Sequence, residues 1–337
     1  MAAAETLTSI KEVIPDLGDH LKLDPAVLKV LPSGCNVLEA VTFGTAAWTR
    51  AIRVDVALHD GTAKSYFLKC ASEDQGRRMM NGEFASMSAI AQYLPEFVPR
   101  PCAWGQFERG PADTYFFLLE FVDIATGAPE PKLFCSQLAR LHTESVSPTG
   151  KFGFHEISCH GPNWQNTEWH DSWSAYFTRL LDQFFYRDVE HNGHNESYEE
   201  QYETLKNVTI PRILEPLQSE GRVLKPSLIH GDLWEENCGT DLHSGQPVVF
   251  DAAAHYAHNE FDLGMWRRDI VRFGKAHVRQ YLRLVPPSEP REQWDDRHRL
   301  YSIKYDLAHS IALPETCEAQ RKLIMDNMLY LNQKYGK

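Results

Sequence analysis

"LIHGDLWEENCGTDLHSGQPVVFDAAAHYAHNEFDLG", Leu228–Gly264, is the stretch on which the reading of this chain turns. Asp232 stands two residues after His230, in a loop entered from the apolar pair Leu228-Ile229. Asn237 follows five positions later, and the apolar run Pro247–Phe250 then delivers Asp251. Turns alone would account for Asp and Asn, since both favour such places. The order carboxylate, amide, apolar strand, carboxylate is also what phosphoryl transfer from a nucleotide demands. One carboxylate must meet an acceptor hydroxyl, and hard oxygens must hold magnesium against the phosphates. His-Gly-Asp by itself carries little; the spaced set carries much more.

Features upstream fit the same chemistry. Trp48–Leu58 alternates and is rich in β-branched residues, His59-Asp60-Gly61 signals a turn, and Lys64–Cys70 reads as the returning strand. Lys69 lies on that second strand, where a lysine can reach nucleotide phosphates. Glu83, on the following helix, is the carboxylate that would hold its ammonium. That helix is marked by Met80, Phe84, Met87, Ala91 and Leu94 on one face and stopped by Pro95. The bend Phe43–Trp48, with its single glycine Gly44, could drape over phosphates, although one glycine makes a poor glycine-rich loop.

"TYFFLLEFVDI" reads as a buried strand running into a connector with Gly127, Pro129 and Pro131. The order up to Val122 is therefore strand, strand, helix, strand, after a helical segment near Thr6–Asp19. Beyond it the pattern turns helical, notably over Lys132–Glu144, Asp171–Phe185 and Arg297–Leu313. This predicts an α+β fold of two lobes: residues 1–122 small and β-rich, residues 123–337 larger and mostly helical.

Composition limits the partners. The 337 residues suffice for two lobes with real cores, and 43% hydrophobic with 24% charged residues is ordinary for a globular protein. A net charge of −12 argues against nucleic acid and against an anionic membrane surface. The first twenty residues lack a signal-peptide pattern, and no apolar run is long enough to span a bilayer. Seven scattered cysteines form no CxxC pair, so a reducing, cytoplasmic setting is the expectation. Among the fifteen histidines, His155, His160 and His170 lack metal-ligand spacing. The aromatic cluster Asn163–Phe177, with three tryptophans, suits helix packing or a wall for a sugar ring.

Assembled in this way, the chain resembles the fructosamine kinase family, the ketosamine or protein-ribulosamine 3-kinases, which are similar to aminoglycoside and choline phosphotransferases with a protein-kinase-like bilobal fold. The resemblance covers nearly the whole chain and rests on "HGDLW" with Asn237, "FDAAAHYAHNEFDLG", "KFGFHEISCHG" with Trp169–Trp173, and "GEFASM" around Glu83. It implies a catalytic role for Asp232, metal ligation by Asn237 and Asp251, and phosphate positioning by Lys69 and Glu83. It implies that the backbone of Glu120, Phe121 and Val122 meets adenine, and that Trp234, with His309 as a looser match, meets the sugar. The reaction implied is transfer of the γ-phosphoryl of ATP, with Mg2+, to the 3-hydroxyl of a ketoamine. The substrates would be glycated protein lysines or small ketoamines, handled by a monomer or weak dimer, and the phosphate would make the adduct labile.

The sequence departs from the family pattern at Glu235-Glu236, where small residues are usual before the metal-binding Asn, and at Ala252, where proline often follows the Asp. The two carboxylates could reshape a sugar pocket. Cys35 is similar to a cysteine beside the phosphate loop in some members, but Gly44 lies well downstream of it. Three other functions compete: a kinase of an aminoglycoside or amino sugar, a catalytically dead kinase fold serving as a scaffold, and a zinc hydrolase. A dead kinase should lack Asp232, Asn237, Asp251 or Lys69, and all four are present. No pair of zinc-type histidines is visible.

Overall fold

The structure is a computed structural model that describes residues 22–44, 47–109 and 113–337. The expected helix near Thr6–Asp19 lies outside the described residues, as do Thr45 and Ala46 of the bend. Helix α1 (Pro25–Val30) is followed by strands β1 (Asn36–Thr42), β2 (Arg50–Ala57) and β3 (Ala63–Ser72), helix α2 (Glu73–Tyr93), and strands β4 (Pro101–Gln106) and β5 (Thr114–Glu120). The five strands form one antiparallel sheet in the order β1-β2-β3-β5-β4.

The hairpin β2–β3, helix α2 and strand β5 stand where the sequence pattern puts them. Strands β1 and β4 do not appear in the predicted order and correct it. Both are edges of the sheet. β1 is exposed along most of its length and β4 is only partly buried, so neither shows the in–out alternation that marks a half-buried strand.

Strand β5 shows why the sheet needs two covers. Phe116 and Leu118 point into a core with Ile52, Val54, Leu68 and, from α1, Val27. Phe117 and Leu119, one residue out of step, join Met80, Met87 and Ile90 of α2 on the opposite face. A strand buried on both faces reads as the continuous apolar run seen in the sequence.

After β5 the chain passes through β6 (Ile124–Thr126) into α3 (Pro131–Glu144), started by Glu130, whose carboxylate accepts the Leu133 N–H at 2.8 Å. Two short strands, β7 (Cys159–His160) and β8 (Asn163–Trp164), precede α4 (Trp173–Asn192). The Leu228–Gly264 stretch supplies β9 (Ser227–Ile229), β10 (Cys238–Asp241), β11 (Pro247–Val249) and β12 (His255–Ala257). β10 pairs with both β11 and β6, and β9 with β12. Helices α5 (Trp294–Ala312) and α6 (Cys317–Tyr335) complete the helical portion. α5 is buried over nearly its whole length, charged residues included.

The two portions touch closely at Gly82 of α2. A Cβ there would fall 2.3 Å from the Ile157 carbonyl oxygen, so only glycine lets α2 lie against the segment leading to β7. Gly82→Ala must push the helix away and displace the neighbouring Glu83. It should destabilise the protein by about 1–3 kcal/mol, the usual cost of overpacking, which a thermal melt would register as a lowered midpoint. An unchanged midpoint would contradict the close approach.

Candidate active site

The loop after β9 is shaped by its backbone. Gly231 has φ +84°, and a Cβ on it would meet the Ala253 carbonyl oxygen at 2.2 Å, so this turn requires glycine. The Asp262 carboxylate accepts the His230 N–H through one oxygen and the Gly231 N–H through the other, both at 2.9 Å. His142 Nε2 lies 3.1 Å from the same carboxylate. The imidazole of His230 is pinned as well. Its Nδ1 accepts the Asp232 N–H at 3.3 Å, so Nε2 carries the proton given to the Phe250 carbonyl at 2.9 Å. The loop is thus tied to the end of β11 and to the Asp262 segment before Asp232 projects from it.

Asn237 fixes that projection. Its amide nitrogen donates to the Asp232 carbonyl at 2.9 Å and to Asp232 Oδ2 at 3.1 Å. The amide oxygen is therefore turned away from Asp232. Asp251 takes a left-handed conformation, φ +57°, just beyond β11. Its Oδ1 accepts a hydrogen bond from Lys69 Nζ, and Glu83 Oε1 lies 2.8 Å from the same ammonium.

A cavity of about 620 Å³ brings these groups together. Gly44, Glu83, Glu120, Phe121, Val122, Asp232, Trp234, Asn237 and Asp251 all line it. Lys69 is not part of the wall; it sits behind Glu83 and Asp251, only 7% exposed. Of the Glu120–Val122 backbone, the Glu120 N–H goes to the Arg100 carbonyl at 2.9 Å and the Phe121 N–H to Ser65 at 3.1 Å. Those two N–H groups are consumed by the sheet. His309 does not line this cavity; α5 approaches Asp232 through Lys304 instead.

The electrostatics follow from burial. Burial pushes the Asp232 carboxyl up, to about 7; Lys304 pulls it down, Asp251 adds to the rise, and Asn237 and Arg268 oppose it. Glu83 is likewise raised to about 7 by burial, against the pull of Lys69. For Lys69 burial disfavours the charge, but Asp251 and Glu83 more than offset it and raise its pKa, so it remains an ammonium.

Other expectations sort themselves by position. Trp173 is fully buried and donates its Nε1–H to Tyr301 at 2.8 Å, which is core packing. Trp164 lies under the Arg187 guanidinium and Trp169 beside Tyr256; none of the three faces the cavity. Glu235 turns away to accept the Arg272 N–H at 2.9 Å, so that of this pair Glu236 lines the cavity and Glu235 does not. Cys35 packs beside the core of the five-stranded sheet, and all seven cysteines are free.

Sequence reasoning missed Asp262, His160 and Lys304. Asp262 was in the quoted stretch, but nothing in its spacing shows that it reaches back 31 and 32 residues to two backbone N–H groups. Lys304 did leave a signal. It falls on the stripe Leu300, Leu307, Ala308, Ile311, where a helix of this periodicity should be apolar.

The sequence pattern of the fructosamine kinase family matches residues 39–331. The chain belongs to that family. Among its relatives, a protein-ribulosamine 3-kinase, chloroplastic, of Oryza sativa subsp. japonica is 27% identical over 248 residues, covering 71% of this chain and 66% of the rice protein, just under two thirds of its length. A ketosamine-3-kinase of Mus musculus is 28% identical over 265 residues, covering 72% and 81% of the two chains. A solved structure from Thermobifida fusca, assigned as a fructosamine-3-kinase, superposes with a TM-score of 0.70 at 21% identity, covering 93% of this chain and 100% of that one. At that identity the likeness speaks for the fold, including the kinase-like joining of an antiparallel sheet to a helical portion.

The anchoring of the loop yields a stability prediction. Although burial alone would raise the Asp262 pKa, its hydrogen bond and charge interaction with His142, with His230 and the Gly231 N–H adding to them, hold it below its ordinary 3.8. A lowered folded pKa means that the stabilisation is intact above the ordinary value and is lost as pH falls through the lowered one. Asp262→Ala strands two buried N–H groups, at about 1–3 kcal/mol each. Its melting midpoint at neutral pH should fall sharply, and the gap from wild type should narrow in acid. Equal midpoints at neutral pH would show that the loop does not depend on this carboxylate.

Proposed function

We infer that this protein transfers the γ-phosphoryl group of ATP to the 3-hydroxyl of a ketoamine, a fructosamine or ribulosamine carried by a protein lysine or a small amine. The observation that carries the reading is the meeting, at one cavity, of Asp232 held by Asn237 and of Asp251 joined through Lys69 to Glu83. The family membership and the names of the rice and mouse relatives support the substrate class. In this reading residues 1–122 are the nucleotide-binding lobe and residues 123–337 the catalytic and acceptor lobe.

The adenine would lie against Phe121 and Leu119, with Phe43 stacked edge-on to Phe121 at 5.1 Å as the outer wall. Val122 would supply the backbone N–H, since those of Glu120 and Phe121 are engaged. Lys69 would neutralise phosphate charge, with Glu83 keeping it in place. Asn237 and Asp251 fit a magnesium ion: their oxygens are hard donors on one cavity wall, and the amide of Asn237 already points its nitrogen elsewhere. When bound, that ion would balance charge on the phosphates.

Asp232 orients the acceptor hydroxyl and takes its proton as the oxygen bonds to the γ-phosphorus. The bond from that phosphorus to the bridging oxygen breaks and ADP departs. Most of the acceleration would come from positioning and charge. Trp234 and Glu236, both on the cavity wall, would meet the acceptor, Glu236 favouring a cationic amine. Seven free thiols agree with a reducing compartment, and among the described residues no helix is long and apolar enough to cross a membrane.

Asp232→Asn tests the assignment, because it keeps the size and removes the charge. Single-turnover phosphorylation of a ketoamine should slow by roughly 10²–10⁴-fold, while calorimetry shows MgATP binding retained. Wild-type rates from the Asn variant would remove Asp232 from the chemistry. A folded wild-type protein that binds partners and turns over no acceptor would favour a scaffold.

A further inference from the structure

Asn237 holds one side of the Asp232 carboxylate; on its other side lie a histidine and, behind that, a buried lysine. Lys304 rises from the middle of α5 with no exposed surface. Its ammonium lies 4.8 Å from the ring centres of both Phe184 and Tyr305, and its Nζ is 3.2 Å from His160 Nδ1. The opposite nitrogen of that imidazole, Nε2, is 3.5 Å from Asp232 Oδ1, with the His160 and Asp232 side chains only 12% and 14% exposed.

The order of atoms dictates the proton positions. While Lys304 carries its charge it can only donate, so His160 Nδ1 accepts and the ring proton resides on Nε2, the nitrogen nearest Asp232. Charges around the pair agree. Burial, together with Lys304, Arg268 and His309, keeps the His160 imidazole neutral, against a hydrogen bond to the Gly231 backbone that favours its protonated form. Burial lowers the Lys304 pKa to about 7, while Asp232 and Asp262 favour its charge. Because Lys304 gives its hydrogen bond to an imidazole, it is a poor structural choice for the interior. An apolar residue of the same length would fill the space without a desolvation penalty.

We propose that Lys304 and His160 are positioning residues for the acceptor half of the reaction: Lys304 fixes the His160 tautomer, and the His160 Nε2–H steadies Asp232 Oδ1 while Asn237 holds Oδ2. The carboxylate that meets the hydroxyl is then gripped from both sides, by β7 and α5 on one and by its own loop on the other. The proposal rests on the ketoamine kinase reading for its kinetic consequence, but not for its geometry.

The test has two arms. Imidazole 15N–1H correlation spectra of the full chain, with the His160 signals identified by their loss in His160→Gln, should show a pure Nε2–H tautomer, and Lys304→Met should convert it to a mixture. This arm needs no acceptor, so it decides the pairing even if no ketoamine is phosphorylated, an outcome that would count against the function alone. In the kinetic arm Lys304→Met should keep or raise the melting midpoint and leave the KM for ATP unchanged. Its kcat should drop roughly 10- to 100-fold, the scale of a misplaced catalytic group. His160→Gln, whose amide can accept from Lys304 and donate to Asp232, should retain far more of kcat than His160→Ala, and adding Lys304→Met to His160→Ala should cost little more. An Nδ1–H tautomer in the wild type, or a tautomer unaffected by Lys304→Met, overturns the proposal. So does a Lys304→Met enzyme with a lowered midpoint and an intact kcat, since that is the mark of a purely structural lysine.

Discussion

The Lys69 ammonium stands between Glu83, on the helix that follows its own strand, and Asp251, which lies 182 residues further along the chain. Three elements of separate origin converge on this one cation: strand β3, helix α2 and the turn beyond β11. Two carboxylates brought into a largely buried place would repel one another and lose hydration. The ammonium makes their proximity tolerable, and they in turn keep it charged. In the proposed reaction the same cluster must yield part of its compensation to phosphates and metal, which is a reason for leaving Asp251 as its most exposed member, at 44%.

At the Asp232 loop the controlling constraint is a turn rather than a charge. Gly231 permits the backbone to pass against Ala253, Asp262 collects the N–H groups of His230 and Gly231, and His230 ties the loop to Phe250. Asp232 emerges from a backbone that has few ways to move. The Lys69–Glu83–Asp251 cluster and this loop share the β10–β11 hairpin, because Asn237 lies just before β10 and Asp251 just after β11. In the proposed reaction, donor and acceptor chemistry would therefore be aligned by one short piece of sheet.

Much of this was legible in the sequence, for identifiable reasons. Lys69, Glu83, Asp232, Asn237 and Asp251 sit at fixed offsets within or next to elements of strong periodicity, so their convergence could be anticipated. Strands β1 and β4 escaped because sheet edges lack alternation. Asp262 and Lys304 escaped because their partners are remote in sequence: a buried carboxylate that accepts backbone N–H groups, and a buried ammonium on an imidazole, are properties of packing. The three tryptophans of Asn163–Phe177 divided the other way. Spacing allowed a sugar wall, whereas Trp173 is core and the cavity takes its tryptophans from Trp48 and Trp234.

The central claim, that one cavity joins ATP to the 3-hydroxyl of a ketoamine, is tested most directly by identifying the product. The protein would be incubated with MgATP and, separately, a fructosamine, a ribulosamine and an aminoglycoside, and the products followed by two-dimensional 31P–1H correlation. The account predicts ATP-dependent product from a ketoamine, with phosphorus coupled to the proton on sugar carbon 3. Phosphorus on an aminoglycoside hydroxyl with both ketoamines untouched, or on another carbon of the ketoamine, would contradict it.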